Sequence, residues 1–257
     1  MGVAKKTLLT LLTATLSASL MAGCGEAPGT VSDDGKNMKD LRLNQNNQAL
    51  QQQNQQALIQ QIMQGVTATR ARVTNIRCDL TGFFVNEKTG EQGSNQAKFA
   101  YEKPNKTSIY VVQSSDSKMV GTKLVWTGGK DLAVKTKFIG FWVKTSIDIH
   151  DSRATDQRGF FLDETGINPL MDTLLDPRNQ VQLLGTGQMN GVPVAQLGIV
   201  SPRSLRGISR EVFTIDGQKM VPIVREMYDK TNKLVVRMRM DNMILNSSMP
   251  SNTFQLE

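Results

Sequence analysis

The chain of 257 residues has one histidine for acid–base or metal chemistry, His150. Ser146, Asp148 and Asp151 lie close to it in sequence, and these residue types could form a nucleophile–base–acid set. They occupy neighbouring positions, however, without the strand-to-helix turn that exposes a catalytic serine and without an oxyanion motif. A histidine-rich zinc site would need more than one imidazole. The pattern indicates a histidine in a surface turn, with catalysis as the alternative, and predicts no metal site.

Asp163 and Glu164 are a second candidate, because adjacent carboxylates can divide acid and base roles. Acidic residues are also typical of the first turn of a helix, where the helix dipole favours negative charge, and this interpretation fits the helical segment that follows. The sequence contains no phosphate-binding loop motif and no dinucleotide fingerprint. We therefore expect no cofactor and a protein that is not an enzyme.

The first 24 residues have the composition of an export signal. Two lysines precede an apolar run from Thr7 to Leu20, and small residues then lead to Cys24. A bilayer-spanning helix needs about 20 apolar residues, and this run is shorter. Residues 1–23 are therefore predicted to be a signal peptide that is removed from the mature protein.

The residues Met21-Ala22-Gly23-Cys24 resemble the lipobox of bacterial lipoproteins, although that family usually has Leu where this chain has Met21. The resemblance implies cleavage before Cys24 and a diacylglyceryl group on its sulfur, which would anchor the protein to a membrane. An Asp directly after the lipidated cysteine usually retains a lipoprotein at the inner membrane. This chain has Gly25 there, which implies that the protein lies on the periplasmic face of the outer membrane in a two-membrane bacterium. In a one-membrane host the anchor would lie on the outer face of the plasma membrane. A signal peptide with a chance cysteine is the alternative.

Cys78 is the second of the two cysteines, so no intramolecular disulfide can form once Cys24 carries lipid. It is in phase with Ile76 and Leu80 on an apolar strand face, which indicates a buried structural thiol; a redox or intermolecular role is the alternative. Removal of residues 1–23 lowers the net charge from +7 to +5, with 28 basic against 23 acidic residues. No basic run with interleaved aromatic residues indicates a nucleic-acid site, so nucleic acid is not an expected partner.

Composition divides the mature chain into a tether at residues 24–47 and a domain at residues 48–257. Gly, Pro, Ser and Asp with little apolar periodicity are typical of a tether. Asn and Gln occupy 11 of the 13 positions from Asn44 to Gln56, which fits either more tether or a poorly packed helical lead-in. Apolar residues then recur at three- and four-residue spacing, which predicts one amphipathic helix over residues 48–74.

The rest of the domain alternates between short strand-like segments and turn sequences, which is typical of an antiparallel meander, either a barrel or a strongly curved sheet. Eleven strands are predicted, at 76–86, 93–102, 106–114, 119–127, 131–138, 141–149, 179–188, 191–200, 207–216, 219–228 and 233–245. Asp216-Gly217 between two apolar runs predicts a hairpin. A short helix is predicted after the sixth strand, with Asn168 as its cap, Pro169 at its first position and Pro177 just after its end. The predicted fold class is therefore mainly β with added helices (α+β).

Two strands in the middle of the meander are predicted to be apolar on both faces, with Trp142 opposed to its neighbours. The first face would carry Leu132, Val134 and Phe138, and the second Ile139, Phe141 and Val143. An antiparallel sheet with one face in water alternates more cleanly than this. We therefore expect the helices or a ligand to cover the second face.

Three segments resemble the LolA/LolB superfamily of periplasmic lipoprotein carriers, which includes lipid-carrying lipoproteins of the LppX/LprG type. They are AKFAYEKPNKTSIYV, the helical NPLMDTLL, and the closing VPIVREMYDKTNKLVVRMRMDNMILNSSMPSNTFQL. The likeness spans about residues 57–257. It implies an incomplete antiparallel barrel of about eleven strands, lidded by helices, with an apolar cavity for acyl chains.

Candidate cavity residues are the aromatic and flexible apolar side chains of these segments and their neighbours: Phe99, Tyr101, Trp126, Phe138, Trp142, Leu170, Leu174, Met238 and Met240. In the soluble chaperones of the superfamily an arginine fastens the helical lid to a strand, and the matching position here is Ser108. Met238 and Met240 share one face of the last strand, where flexible thioethers could either line a cavity for ligands of variable shape or fill an irregular core.

Two functional classes remain open from the sequence. The first is a membrane-anchored protein that binds or transfers acyl chains of lipids or lipoproteins. The second is a non-catalytic sensor or scaffold of the envelope that binds a protein partner on the same curved sheet. A large apolar cavity would favour the first class, and a cavity filled by the protein's own side chains would favour the second.

Overall fold

Helix α1 (Asp34–Arg72) precedes the sheet in a computed structural model of the chain, which describes residues 34–156, 158–200 and 206–256. Leu58, Ile62 and Val66 are buried, since a spacing of four places them on one face of the helix. The side chains from Gln48 to Ala57 are all exposed. The packing that holds α1 against the domain therefore begins at Leu58.

All eleven predicted strands form, and they make one open antiparallel sheet. Strands that follow one another in the chain are paired, except that β6 and β7 form the two edges of the sheet. At its centre β1 pairs with β11. The strands are β1 Asn75–Val85, β2 Gln92–Glu102, β3 Lys106–Ser114, β4 Lys123–Trp126, β5 Asp131–Phe138, β6 Phe141–Asp148, β7 Gln180–Met189, β8 Val192–Val200, β9 Ile208–Asp216, β10 Val221–Asp229 and β11 Leu234–Leu245. The prediction of a mainly β fold with an N-terminal helix and short helical insertion is confirmed.

The connection between the edge strands β6 and β7 carries the short helices α2 (Leu162–Thr165) and α3 (Ile167–Leu175). α3 buries Leu170, Met171 and Leu174 completely in the main core. This core joins α1 and α3 to one side of the sheet, which we call the helix-facing side. The clusters of buried residues contain no residue before Leu58, so removal of residues 1–24 leaves the described core complete.

Two boundaries differ from the predictions by more than two residues, at the starts of α1 and β4. α1 begins at Asp34 instead of residue 48, so residues 44–56, which the sequence left open between tether and helical lead-in, have a helical backbone. Glutamine is a good helix former even without a packed face. β4 is shorter than predicted because Ser117–Met119 form a 3₁₀ turn, capped by the Asp116 carboxylate, which accepts from the Lys118 amide.

The cap of α3 was also predicted wrongly. Gly166 occupies the cap position and Ile167 is the first helical residue, so Pro169 is the third. Proline is tolerated there because the first amides of a helix have no intrahelical partner. The amide of Asn168, the predicted cap, donates instead to the hydroxyl of Tyr101.

The register of the β5–β6 hairpin corrects the expectation of two apolar faces. Phe138 pairs with Phe141 and Thr136 with Val143, so the apolar residues of both strands share one side of the sheet. The two-residue turn Ile139-Gly140 reverses the chain and thereby reverses the alternation. Trp142 projects to the opposite side.

No helix in the described ranges is long and apolar enough to span a bilayer. Cys78 is buried with a free thiol, as predicted. The predicted Asp216 hairpin is confirmed between β9 and β10. There the Asp216 carboxylate accepts from the amides of Gln218 and Lys219, which closes the turn.

Candidate ligand cavity

A small apolar cavity lies between α3 and the helix-facing side of the sheet. Its volume is about 30 Å³. The residues that border it are Leu80, Phe99, Ile109, Leu162, Ile167, Leu170, Met238 and Met240. Pockets that bind small molecules usually measure about 300–1,000 Å³, so this cavity is close to filled by the protein's own side chains.

The structure brings most of the predicted cavity residues together. Phe99, Tyr101, Leu170, Leu174 and Met240 are all buried in the main core, and Met238 is partly buried against it. Four of the six border the residual cavity itself: Phe99, Leu170, Met238 and Met240.

The other predicted residues lie elsewhere. Trp126 packs against a separate cluster around Leu132, and its indole donates to the Gly129 carbonyl at 3.0 Å. Trp142 is half exposed near the tip of the β5–β6 hairpin. The side chain of Phe138 and the whole of Cys24 lie outside the described part of the chain.

Polar contacts around Tyr101 tie α3 to the sheet, and sequence reasoning missed them. The Tyr101 hydroxyl accepts from the Asn168 amide and donates to the Pro104 carbonyl at 2.9 Å. Burial raises the pKa of Tyr101, and the hydrogen bond from Asn168 partly opposes this shift. The phenol is therefore neutral at physiological pH and remains a donor. The sequence gives no sign of this contact, because Tyr101 and Asn168 lie 67 residues apart.

Two further polar contacts hold the end of α1. The ammonium of Lys103 donates to the carbonyls of Arg70 and Ala71 at 2.7 and 3.1 Å, so it satisfies acceptors at the C-terminus of the helix. Arg70 in turn forms an ion pair of 2.5 Å with Asp172 of α3. Both side chains of this pair are about half exposed, so the pair orients the two helices more than it stabilises them.

Ser108 cannot take the place of a lid-fastening arginine. It pairs with Ala100 and Val125 and borders a cleft on the outer side of the sheet. Its neighbour Ile109 borders the cavity on the helix-facing side. Because alternate residues of a strand point to opposite faces, a side chain at 108 points away from the helices. The Tyr101–Asn168 hydrogen bond connects lid and sheet here instead.

A buried ion pair interrupts the apolar helix-facing side. Arg225 pairs across the sheet with Phe213 and Met238, and its Nε donates to Glu211 at 2.7 Å. The side chains of Arg225 and Glu211 are 6% and 13% exposed, and Arg225 Nη1 has no partner among the described residues. A polar cleft of about 220 Å³ adjoins this pair near the C-terminal end of α3, where Asp176 and Arg178 also border it.

The candidates for catalysis have ordinary structural contacts. His150 lies in the turn after β6, with its Nε2 2.9 Å from Asp163 and its ring edge against Phe161. Glu164, in the first turn of α2, accepts from the Phe161 amide, which agrees with the predicted role of acidic charge at a helix start. Within the described ranges, no three His, Cys, Asp or Glu side chains are grouped as metal ligands.

Solved structures with a similar fold include a lipoprotein, a putative lipoprotein-sorting domain and a protein in complex with its partner. LppX from Mycobacterium tuberculosis has 11% identity and a TM-score of 0.45, over 76% of this chain and 97% of that one. A putative outer membrane lipoprotein-sorting protein domain from Vibrio parahaemolyticus has 12% identity and a TM-score of 0.39, over 75% and 95%. MucB in its complex with MucA from Pseudomonas aeruginosa has 9% identity and a TM-score of 0.39, over 77% and 61%.

The likeness concerns the fold alone, and neither ligand nor partner follows from it. No family model matches the chain. No curated protein matches its sequence.

Proposed function

We propose that this chain is a lipid-anchored envelope protein that binds acyl chains of lipids or lipoproteins on the helix-facing side of its sheet. The observation that carries the proposal is the cavity bordered by Met238, Met240, Phe99 and Leu170. Its lining is apolar throughout, and two of its residues have the flexible thioethers that repack around ligands of variable shape. The activity proposed is binding, with no bond made or broken.

An acyl chain can enter only if α3 moves, because the cavity of about 30 Å³ is too small for it. The contacts that would be lost are mainly apolar, since α3 buries Leu170, Met171 and Leu174 against the sheet. A bound chain would replace these contacts with its own at about 0.8 kcal/mol per CH₂ group. Ten methylene groups would thus offset roughly 8 kcal/mol of lost packing.

The Arg225 cleft would suit the polar end of such a ligand. Arg225 pairs with Met238, so the cationic group and the cavity border are neighbours on the same side of the sheet. Its buried Nη1 lacks a partner among the described residues, and an anionic head group would supply one.

Truncation of Met240 tests the proposal. In the chain from Gly25 onward, Met240→Ala should lower the free energy of unfolding by about 2–5 kcal/mol without ligand and should tighten binding of a fluorescent fatty acid, because it enlarges an apolar space. Met240→Asp should abolish binding, since a carboxylate is poorly solvated against acyl chains. Urea unfolding and probe titration measure both effects.

Met227→Ala is the matched control. Met227 is as deeply buried as Met240 but belongs to a separate cluster with Val85 and Phe160. It should show a similar loss of stability without tighter binding. Equal probe affinities in the two Ala variants would contradict the acyl-binding proposal.

The filled state of the cavity favours the second candidate, a module that binds a protein partner. In that case wild type and Met240→Ala would both fail to bind the probe, and native mass spectrometry of the wild type would find no lipid. Lipid that co-purifies with the wild type would favour the acyl-binding function instead.

A further inference from the structure

The tip of the β5–β6 hairpin is an exposed apolar surface. Ile139 is 80% exposed, Phe141 76% and Trp142 50%. Twelve large apolar side chains are exposed among the described residues, and half of them lie at this end of the sheet: Met119, Val120, Ile139, Phe141, Trp142 and Val143. We call these six residues the hairpin patch. Scattered single residues of this kind need no explanation, but a contiguous group marks a surface that is covered in function.

The patch is continuous across two chain segments. The ring of Trp142 lies against Gly121, where an added Cβ would come within 2.5 Å of it, and Gly121 directly follows Met119 and Val120. The neighbouring 3₁₀ turn Ser117–Met119 also packs against β5. Trp142 therefore adjoins Met119 and Val120 on the outer side of the sheet. Phe141 and Val143 lie on the helix-facing side, and Ile139 occupies the turn between the two sides, so the patch wraps around the tip of the hairpin.

The backbone of the tip indicates that an apolar residue is placed there at a cost. Ile139 and Gly140 both have positive φ, 48° and 87°, as a two-residue hairpin turn of the primed type requires. Asn or Asp usually occupies the first of these positions, because a β-branched residue is strained there. Isoleucine at position 139 is therefore unfavourable in two ways, because its apolar side chain is exposed to water and its backbone is strained. Strain of this kind is typical of residues with a function.

The charges around the patch are mainly basic. Lys118 and Lys137 are exposed, the Lys144 ammonium donates to the Leu256 carbonyl at 3.0 Å, and the Lys135 ammonium lies 5.6 Å from the centre of the Trp142 ring. Asp116 directly precedes this range, and its carboxylate accepts from the Lys118 amide. From Ser117 to Ile147 the one acidic residue is Asp131, at the far end of β5. Seven residues of strand separate it from the tip, or about 24 Å.

We propose that the hairpin patch docks on the surface of an anionic phospholipid bilayer. Ile139 and Phe141 would enter the acyl boundary, the indole of Trp142 would lie at head-group depth, and Lys118 and Lys137 would contact lipid phosphates. A protein interface is the competing occupant, but an apolar tip with Lys137 directly opposite Trp142 matches the polarity gradient of a lipid surface. This surface is separate from the cavity under α3, so the inference does not depend on the acyl-binding proposal.

Vesicle flotation tests the inference with the chain from Gly25 onward, which retains the described core and lacks the anchor cysteine. Wild type should float with vesicles of phosphatidylethanolamine and phosphatidylglycerol and at least tenfold less with phosphatidylcholine vesicles. Ile139→Asn with Phe141→Ser should lower the partition coefficient at least tenfold. Because Asn suits the positive φ at position 139, the variant should unfold at the same urea concentration as wild type or a higher one.

Leu184→Ser with Ile244→Ser is the matched control, since these residues are 47% and 48% exposed but lie outside the patch. This variant should bind vesicles like wild type.

Lys137→Glu should weaken binding to anionic vesicles alone. The inference is overturned if wild type does not float, if it binds phosphatidylcholine equally, or if patch and control variants behave alike. Titration with the fluorescent fatty acid should be unchanged in the patch variant, which keeps a failure here distinct from a failure of acyl binding.

Discussion

At the scale of single residues, Cys78 shows how burial controls the chemistry of a thiol. Burial raises the pKa of Cys78 to about 12, with smaller contributions from the negative charges of Asp79 and Asp241. The thiolate is the reactive form, so a rise of about three pH units from an ordinary thiol lowers its population near pH 8 about a thousandfold. The thiol is therefore a core side chain, and its neighbours Ile76 and Leu80 share that role.

We predict that Cys78 resists alkylation at pH 8 in the native protein and reacts completely in urea. In the chain from Gly25 onward it is the remaining cysteine, so mass spectrometry after iodoacetamide treatment reads this site alone. The pKa of the Cys78 thiol is about 9 in the unfolded state and about 12 in the native state. Between these two pH values the unfolded state therefore binds fewer protons than the native state. This difference lowers the free energy of unfolding as the pH rises from about 9 to about 12. Rapid labelling of folded protein at pH 8 would show that the thiol is accessible.

At the scale of elements, α3 is fixed to the sheet by apolar packing together with the Asn168–Tyr101 hydrogen bond. One such bond contributes about 0.5–1.5 kcal/mol, which corresponds to a shift of up to about tenfold in an opening equilibrium. In the acyl-binding proposal, the apolar contacts would hold α3 closed and the polar contact would set how often it opens.

Asn168→Ala should therefore speed association of a fluorescent fatty acid by roughly three- to tenfold, because the lid opens more often. Tyr101→Phe removes the same hydrogen bond together with the one to the Pro104 carbonyl, and it should also speed association. The double variant should show little further change, because the bond between α3 and the sheet is already lost in each single variant. Stopped-flow fluorescence measures these rates. Asn179→Ala is the control, because Asn179 donates to Thr173 at the C-terminal end of α3 and makes no contact with Tyr101. Equal acceleration by the control would refute the role assigned to Asn168.

At the scale of the whole molecule, the helical backbone between Asp34 and Leu58 separates the N-terminal segment from the packed domain. These 24 residues of helix span about 36 Å. An anchor at Cys24 would hold the domain to one membrane through this spacer, and the hairpin patch would give it a second contact with a lipid surface. Two such contacts bind more stably than either alone.

Replacement of Cys24 by Ser in the full chain should abolish lipidation. The protein should then move from the detergent phase to the aqueous phase in Triton X-114 partitioning, because the acyl chains provide the apolar anchor. Cys78→Ala is the control and should remain in the detergent phase. The anchor hypothesis fails if the Cys24 variant partitions like wild type.

The sequence by itself determined the elements of this protein. Alternation with period two and Gly-, Asn- and Asp-containing turns predicted all eleven strands, and apolar spacing predicted the packed face of α1, because these are local preferences of neighbouring residues. The burial of Cys78 followed from the same alternation. Phe99, Leu170 and Met240 were predicted together as cavity residues, and they meet in one core.

Only the tertiary structure decided how these elements meet. Leu80 lies opposite Met240 across the β1–β11 pair, and Tyr101 meets Asn168, although long stretches of chain separate both pairs. Such contacts depend on the packing of whole elements and leave no local pattern in the sequence. For the same reason the direction of Ser108, the filling of the cavity and the exposure of Trp142 could not be predicted: each depends on which face the helices cover and where the sheet ends.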